Sequence, residues 1–483
     1  MEIMMNKNMR KKKRAKLVAF LKEFCVDNSE GKFVMGNDIE KFADKVEELY
    51  KAKNDDDRKW IIESLLDCDL YKFTMQQTVL HKFPRAMVEF EFKLRNYSGS
   101  ALEPYMDEIR SEIDHLCTLK FQPNELKFMN TLRFVKADYV EFLRNFQLDS
   151  EHIRVYMKDG NARISIKGSW LNTILFEVFV LAIVSEVYFR HQDVDEEEGK
   201  RRLEDKIQLL KAYNKEIEMT AYPAIGKGVE IDRVKKVIGY AYLLFVDFGT
   251  RRRRSRAWQE YVIQRLIDEV PRNFVGTSNV LLAMKYGIKP IGTMAHEFFQ
   301  ATQQLTRLRD SQKFALETWV QEYRGDLGIA LSDCVGFDAF LKDFDLFNSK
   351  LYDGCRHDSG DPSWWCNKLI AHYEGFAIDP KSKTAVFSDG LNIPKCIELH
   401  REFHERIKVS FGIGTNITND LGIKALQIVI KMTMCGATLE DMGPVAKISD
   451  SSGKSMCRDK SFLEYLKQTF GITWKVEVAE GLD

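Results

Sequence analysis

Between residues 242 and 430 the chain repeats one unit, and that repetition restricts the fold more than any other feature. Short apolar runs fall at 242–247, 273–276, 289–293, 328–332, 384–388, 408–411 and 426–430, most of them separated by an amphipathic helix. Ser255–Val270, Ser311–Tyr323, Pro362–Phe376 and Pro394–Arg406 carry the clearest helical periodicity. Runs this short, alternating with helices, imply parallel strands joined by helical crossovers. Seven such units predict an α/β fold with an irregular (β/α) barrel, a doubly wound open sheet being the alternative.

Six of the runs end in a small and polar cluster: Asp247–Thr250, Gly276–Asn279, Gly292–Glu297, Ser332–Cys334, Ser388–Gly390 and Gly412–Thr415. One such cluster is ordinary turn chemistry. Six of them at the carboxyl ends of parallel strands lie on a single rim, where barrel enzymes gather their catalytic groups. The first cluster runs straight into Arg251-Arg252-Arg253-Arg254. Four adjacent cations repel one another unless water or an anion neutralises them. Beside a glycine that lets backbone approach closely, they suggest a ligand with several negative charges at the front of the run. Arg253 and Arg254 read as the solvated first turn of the helix that follows.

The remaining sequence divides by composition. Residues 1–58 are a lysine-rich charged extension, and 59–169 alternate strand and helix patterns as an α+β domain. Residues 170–240 form a helical segment with an insertion, 241–432 the barrel with its catalytic rim, and 433–483 a carboxy-terminal segment expected to pack back on the amino-terminal domain. The apolar stretch Trp170–Phe189 approaches the length of a membrane span but contains Glu177 and Glu186, so it reads as a buried helix. Lys+Arg and Asp+Glu are both 72, which leaves no global field to attract nucleic acid or membrane. Nine cysteines without a Cys-x-x-Cys pair fit reduced thiols in the cytoplasm, and Arg10–Arg14 is a weak nuclear address or a solvated tail.

Several strand-end residues have chemistry to offer. Gly412, Gly414 and Thr415 would let backbone N–H groups face a phosphate, and Ser388, Asp389 and Gly390 repeat that arrangement after another run. In Arg356–Pro362, Asp358 and Asp361 suit ribose hydroxyls or Mg²⁺, while the plain alternative makes Asp361 a helix cap. His296, beside Glu297, is a candidate general base or phosphoryl acceptor. Phe248, beside the arginines, is a stacking platform for a flat ring or a core residue.

Taken in order, Ser64–Gln77, Asp247–Arg253, Val275–Asn279, Gly292–Glu297, Arg356–Pro362, Phe387–Asp389, Ser410–Thr415 and Pro444–Asp450 resemble the bacterial type of nicotinate phosphoribosyltransferase. The resemblance spans roughly residues 60 to 470 and implies a type II phosphoribosyltransferase barrel with an amino-terminal α+β domain. It implies transfer of the phosphoribosyl group of 5-phosphoribosyl 1-pyrophosphate to nicotinate, the first step of NAD synthesis from nicotinate. ATP hydrolysis would be coupled through a phosphohistidine at His296, with Mg²⁺ as cofactor, in a homodimer with shared sites. Phe248 would then stack on the pyridine ring opposite Tyr71 of the partner chain. Arg251, with Arg252, Thr277 and Ser278, would face the ring carboxylate or a phosphate. Asp358 would meet the ribose, with Arg356 close to the base. Ser388, Asp389, Gly390, Gly412, Gly414 and Thr415 would cradle the 5′-phosphate, and Lys93 and Arg95 would reach across the dimer. Relative to the compact bacterial pattern, 1–58, much of 192–240 and 433–442 are longer. Nicotinamide or quinolinate as substrate, or a catalytically silent nucleotide-binding barrel, are the alternatives.

Overall fold

The computed structural model describes residues 59–95, 99–224, 242–451, 454–474 and 476. The extension 1–58 and residues 225–241 lie outside them. Residues Ile61–Asp483 form one compact unit.

The unit begins with the helix Leu70–Lys82, whose first ten residues are all buried, polar ones included. Strand β1 (Met87–Leu94) follows, then the hairpin β2 (Ile153–Lys158) and β3 (Asn161–Ser169), which turns at Asp159-Gly160 with both residues at positive φ. The helix Phe176–Arg190 is buried over almost its whole length. With Trp170–Ile174 it is long and apolar enough to cross a bilayer, yet 89% of that window is packed inside the protein. The 29-residue helix Glu196–Ala224 comes next.

Parallel strands then alternate with helices: β4 (Phe245–Asp247), β5 (Phe274–Thr277), β6 (Lys289–Pro290), β7 (Ile329–Leu331), β8 (Gly354–His357), β9 (Thr384–Phe387) and β10 (Lys408–Ile413). They form one curled sheet in the order β6-β5-β4-β10-β9-β8-β7. The edge strands β6 and β7 do not pair, so the barrel is open at one seam. Thr293, just past β6, bridges it by donating its hydroxyl to Ile329 O at 3.0 Å, while its own carbonyl accepts Thr74 Oγ1 at 2.6 Å. The helix Leu70–Lys82 therefore stands at the seam. The chain entering it is tied to the end of β5 through Leu70 N to Ser278 O (2.7 Å) and Val280 N to Cys68 O (2.9 Å).

Two expectations need correction. The run 426–430 is not a barrel strand. It opens β11 (Ile428–Gly436), which pairs antiparallel with β1 in a five-stranded sheet of order β12-β11-β1-β3-β2, where β12 is Gly443–Pro444. Ile428, Ile430 and Met432 are buried in alternation, as in a sheet packed on one face, before Thr433, Cys435 and Gly436 bury the strand's end. The seventh barrel strand is β8, in which Gly354 replaces an apolar residue because a Cβ there would fall 1.8 Å from Thr384 O. The carboxy-terminal segment also divides. Its first residues continue β11, whereas the helix Lys460–Phe470 packs with Leu308, Val335 and Ala339 on the barrel side.

A row of rings crosses the sheet in register, His357, Phe387, Phe411, Phe245 and Phe274, each paired with the next across a strand boundary. Phe387 and Phe411 stack at 5.6 Å between centroids. Fully burying one such ring contributes roughly 1.5–3 kcal/mol. The row lies just below the strand ends, so the rim rests on a rigid apolar layer.

Candidate active site

The arginine run is held by carboxylates from distant parts of the chain. Asp247, fully buried at the end of β4, accepts Gly249 N (2.8 Å), Gln259 Nε2 (2.7 Å) and Thr277 Oγ1 (2.7 Å). Burial pushes its carboxyl up to about 6, against the pull of those donors. The chain then turns through a short 3₁₀ segment, Thr250–Arg252. Arg251 and Arg252 emerge half-buried on the rim, but Arg253 is completely enclosed. It grips Asp67 with both terminal nitrogens (2.7 and 2.8 Å) and Glu186 through Nε (2.6 Å), while its carbonyl accepts Ser185 Oγ at 2.8 Å. Arg254 lies with its Cζ 6.0 Å from the centroid of the Phe189 ring, and its N–H donates to Thr418 O. The solvated-turn expectation for Arg253 therefore fails: its partners lie 67 and 186 residues upstream.

A cavity of about 580 Å³ opens at these strand ends, bounded on its other side by β11. Phe248 and Tyr71 both line it, within one chain. Tyr71, expected from a partner, is delivered by its own helix because Leu70 is pinned to Ser278. Gly412 does not reach the cavity. A Cβ there would fall 2.2 Å from the Phe248 ring, so its role is to make room for that ring. Ser278 lines the cavity and donates to Asp69 Oδ1 at 2.7 Å. Thr277 is buried behind it, its hydroxyl committed to Asp247.

Cations crowd the cavity from more than one wall. Arg95, Arg251, Arg252, Arg356, Lys431 and Lys447 all line the cavity. The Nε atoms of Arg95 and Arg356 are buried with no hydrogen-bond partner among the described residues. Burial, then repulsion from Arg251 and Arg95, pushes the Arg252 guanidinium down to about 10. Burial likewise brings Lys431 down to about 8, with Glu177 opposing. Such a cluster favours an anionic ligand, although Glu177 and Asp333 already face Arg251 and Lys447. Lys93, half-buried on β1, does not line the cavity, whereas Arg95 faces that of its own chain.

His296 begins the helix His296–Leu305 and is buried. Its Nε2 lies 2.8 Å from Asp333 Oδ1 and 3.6 Å from Asp358 Oδ2. Asp333 also accepts Ser359 Oγ (2.6 Å) and faces Lys447 Nζ (3.3 Å). Against the opposing push of burial, Lys447 and His296 hold its carboxyl well below the usual range. Burial first, then Lys447, pushes His296 down to about 4. The ring is thus neutral at pH 7. With Asp333 ionised, the shared proton resides on Nε2 and the lone pair on Nδ1.

Beyond β9 and β10, Ser388, Asp389, Gly390, Gly414 and Thr415 line the opposite corner. Ser388 Oγ lies 2.9 Å from His357 O and 3.1 Å from Asp358 Oδ1, and Gly390 adopts φ +59° with open space where a Cβ would be. Asp361 is elsewhere. It is exposed and accepts Trp364 N at 2.6 Å as the cap of helix Pro362–Gly375, a correction to its expected metal role.

Among the lining residues that sequence reasoning left without a role are Asp69, Glu177, Lys431 and Lys447. Glu177 was signalled by its position in an otherwise apolar helix. In the structure it ion-pairs with the buried Lys72 (2.6 Å) and lies 3.4 Å from Arg251, while Lys72 also binds Glu297. Asp333, seen as part of a strand-end cluster, gained its meaning only once His296 was placed beside it.

A model of the nicotinate phosphoribosyltransferase (NAPRTase) family matches residues 243–474, and one of that family's N-terminal domain matches 66–185. The chain is 51% identical over 418 residues to the nicotinate phosphoribosyltransferase of Ralstonia pickettii, covering 85% of this chain and 100% of that one. It is 52% identical over 419 residues to that of Burkholderia mallei, covering 86% and 98%. Nicotinate phosphoribosyltransferase from Vibrio cholerae superposes with a TM-score of 0.77 at 40% identity, covering 86% of this chain and 95% of that one. The protein of that name from Porphyromonas gingivalis gives 0.76 at 32% identity, covering 85% and 100%. The chain belongs to the nicotinate phosphoribosyltransferase family.

Proposed function

We propose that the protein joins nicotinate to 5-phosphoribosyl 1-pyrophosphate and couples that transfer to ATP hydrolysis through phosphorylation of His296, as the first step of NAD synthesis from nicotinate. The observation that carries the coupling is the buried His296 imidazole, its Nε2 2.8 Å from Asp333 Oδ1, on a cavity crowded with cations. Nδ1 supplies the electron pair that forms the N–P bond to the terminal phosphorus of ATP as its bond to the bridging oxygen breaks and ADP leaves, and the neighbouring lysine and arginines favour the phosphate once it is attached.

Phe248 and Tyr71 take the flat ring, and Arg251 takes its carboxylate. Loss of pyrophosphate leaves a cation-like C1′ and a growing charge on the leaving group, which Arg252, Arg95, Lys431 and Lys447 stabilise. The ring nitrogen is already nucleophilic, so positioning and electrostatics carry the rate without a strong general base. Ser388, Gly390, Gly414 and Thr415 take the 5′-phosphate, and Asp358 the ribose hydroxyls.

Among the described residues, His296, Asp333 and Asp358 bring their ligand atoms close enough together for a metal ion, and of these Asp358 fits Mg²⁺, which prefers one or two carboxylates together with substrate phosphates, whereas Asp389 already pairs with Lys454. Asp333 fits less well, since it already serves His296, Ser359 and Lys447. When bound, the ion would neutralise charge on the pyrophosphate. A cytoplasmic homodimer belongs to the same proposal, and sedimentation velocity tests the dimer.

The test of substrate is the conversion of radiolabelled nicotinate and nicotinamide, each with and without ATP. ATP-stimulated conversion of nicotinate is expected, and conversion of nicotinamide alone overturns the reading. Nicotinamide stays in the test because Asp69, a cavity carboxylate, is an acceptor that an amide N–H would use.

A further inference from the structure

We propose that Asp420, clamped by Arg202 and Lys206, is a positioning residue that sets the affinity for the phosphorylated sugar substrate. This rests on the assignment of 5-phosphoribosyl 1-pyrophosphate above. The helix Glu196–Ala224 lies between the two matched family regions, and its charged sequence suggested a surface insertion. In the structure it grips one wall of the cavity.

That wall leaves β10 at Gly414 and includes Thr415, Asn416, Asn419, Asp420 and Lys424. Arg202 Nη1 donates to Asp420 Oδ1 at 2.9 Å, and Lys206 pairs with Asp420 Oδ2. Glu198 accepts Arg202 Nε at 2.6 Å and so orients the guanidinium. The next residue, Leu421, is buried against Gly199 and Trp258. A Cβ on Gly199 would fall 2.7 Å from Leu421 Cγ, so the glycine is what admits it. On the inner side, Asn419 Nδ2 donates to Arg252 O at 2.8 Å and Thr418 Oγ1 to Gly249 O at 3.2 Å. The clamp therefore fixes the phosphate corner and, through Asn419, the backbone that aims Arg252.

Neither Arg202 nor Lys206 lines the cavity, so replacing them leaves the chemistry in place. Substrate must then order a loosened wall as it binds. The clamp's own worth limits the effect, because two partly exposed ion pairs of up to about 1 kcal/mol each correspond to roughly five- to thirtyfold in binding.

The experiment compares full-length protein with an Arg202→Glu/Lys206→Glu variant, with the same variant carrying Asp420→Lys, and with Gly199→Ala. Dissociation of 5-phosphoribosyl 1-pyrophosphate is measured by calorimetry, which requires no turnover, alongside KM for both substrates and kcat. The double variant should bind it about tenfold more weakly, with kcat and the KM for nicotinate little changed. Asp420→Lys should restore most of the loss, and Gly199→Ala should reproduce it without altering charge. Unchanged affinity in the double variant overturns the proposal. So does a loss that Asp420→Lys fails to rescue, or a parallel fall in kcat and both affinities. Wild-type protein that binds the sugar pyrophosphate but forms no product would instead count against the proposed reaction and leave the clamp to be judged on binding.

Discussion

Replacing Arg253 with methionine is the sharpest test of the architecture around the site. Methionine approximates the volume of the side chain but removes four hydrogen bonds: two to Asp67, one to Glu186 and one to Gln259. Asp67 keeps Asn279 Nδ2 at 2.7 Å, yet two buried carboxylates lose their counter-charge. Breaking a buried ion pair by deleting one partner destabilises by roughly 3–5 kcal/mol, and with two anions stranded we expect about 4–5 kcal/mol near pH 7.5. The pH dependence has a definite sign. In the native protein burial would raise the Asp67 carboxyl, but Arg253 outweighs it and holds the group below its ordinary value. That contribution is present above the unfolded pKa and is lost as pH falls through the folded one. Glu186 is raised by burial despite Arg253. Without the arginine, burial raises both groups, so the variant's deficit grows as pH rises through their pKa values and shrinks towards pH 5. Urea unfolding of both proteins at pH 5 and 7.5 measures this. In a double-mutant cycle, adding Asp67→Asn to the variant should recover part of the loss at pH 7.5. A deficit below about 1 kcal/mol, or one independent of pH, would refute the idea that Arg253 is the counter-ion of this core.

The site makes its own predictions. His296→Ala should abolish ATP stimulation and acid-labile phosphate on the protein while leaving slow, uncoupled transfer; a variant that still hydrolyses ATP in step with product would sink the phosphohistidine. Lys447→Met should raise the His296 pKa from about 4, because it removes the second cause of the depression after burial. Histidine NMR titration would show this as protonation at higher pH, and an unmoved resonance would contradict it. Asp361→Ala should cost about 1 kcal/mol as a lost helix cap and leave Mg²⁺ dependence intact, whereas a shifted Mg²⁺ requirement would return the residue to the metal site. Gly412→Ala should weaken nicotinate binding more than sugar pyrophosphate binding, since the added methyl meets Phe248 2.2 Å away; equal weakening would argue for a role in the phosphate corner.

What was legible in the sequence follows the range of the forces involved. The alternation of apolar runs and helices is local, and it located six of the seven barrel strands. It missed β8, where Gly354-Cys355-Arg356-His357 carries no apolar run because backbone packing at Gly354 matters more than side-chain burial. It misassigned β11, because an apolar run does not say whether its partner strand runs parallel or antiparallel. Rim residues were legible as strand-end clusters, and family resemblance gave several of them roles. Thr277 and Gly412 sit one layer behind the cavity, and a strand-end glycine or threonine looks the same in either layer. The carboxylates that organise the arginines were hidden for another reason. Asp67, Glu177 and Glu186 come from helices and turns far upstream, and only the tertiary fold brings them to the run.

The geometry of the turn explains how four consecutive arginines are tolerated at all. A straight strand would send alternate arginines to the same face, and an α-helical turn would fan all four around one exposed end. Between Gly249 and Arg253 the chain instead takes a 3₁₀ turn, in which successive side chains diverge by about 120°. Arg251 and Arg252 reach the rim by separate paths, and Arg253 turns into the core to meet Asp67 and Glu186. Only two of the four charges are left for the cavity, and they meet Arg95 from the opposite wall. The repulsion that lowers Arg252 therefore arises between elements as well as within the run, and a bound anion relieves both parts. The same turn requires an outside anchor, since three residues of 3₁₀ helix make few hydrogen bonds of their own. Asp247 holds its start, Asn419 its middle and Asp67 its end, so the aim of the cationic rim is determined by three separate parts of the fold.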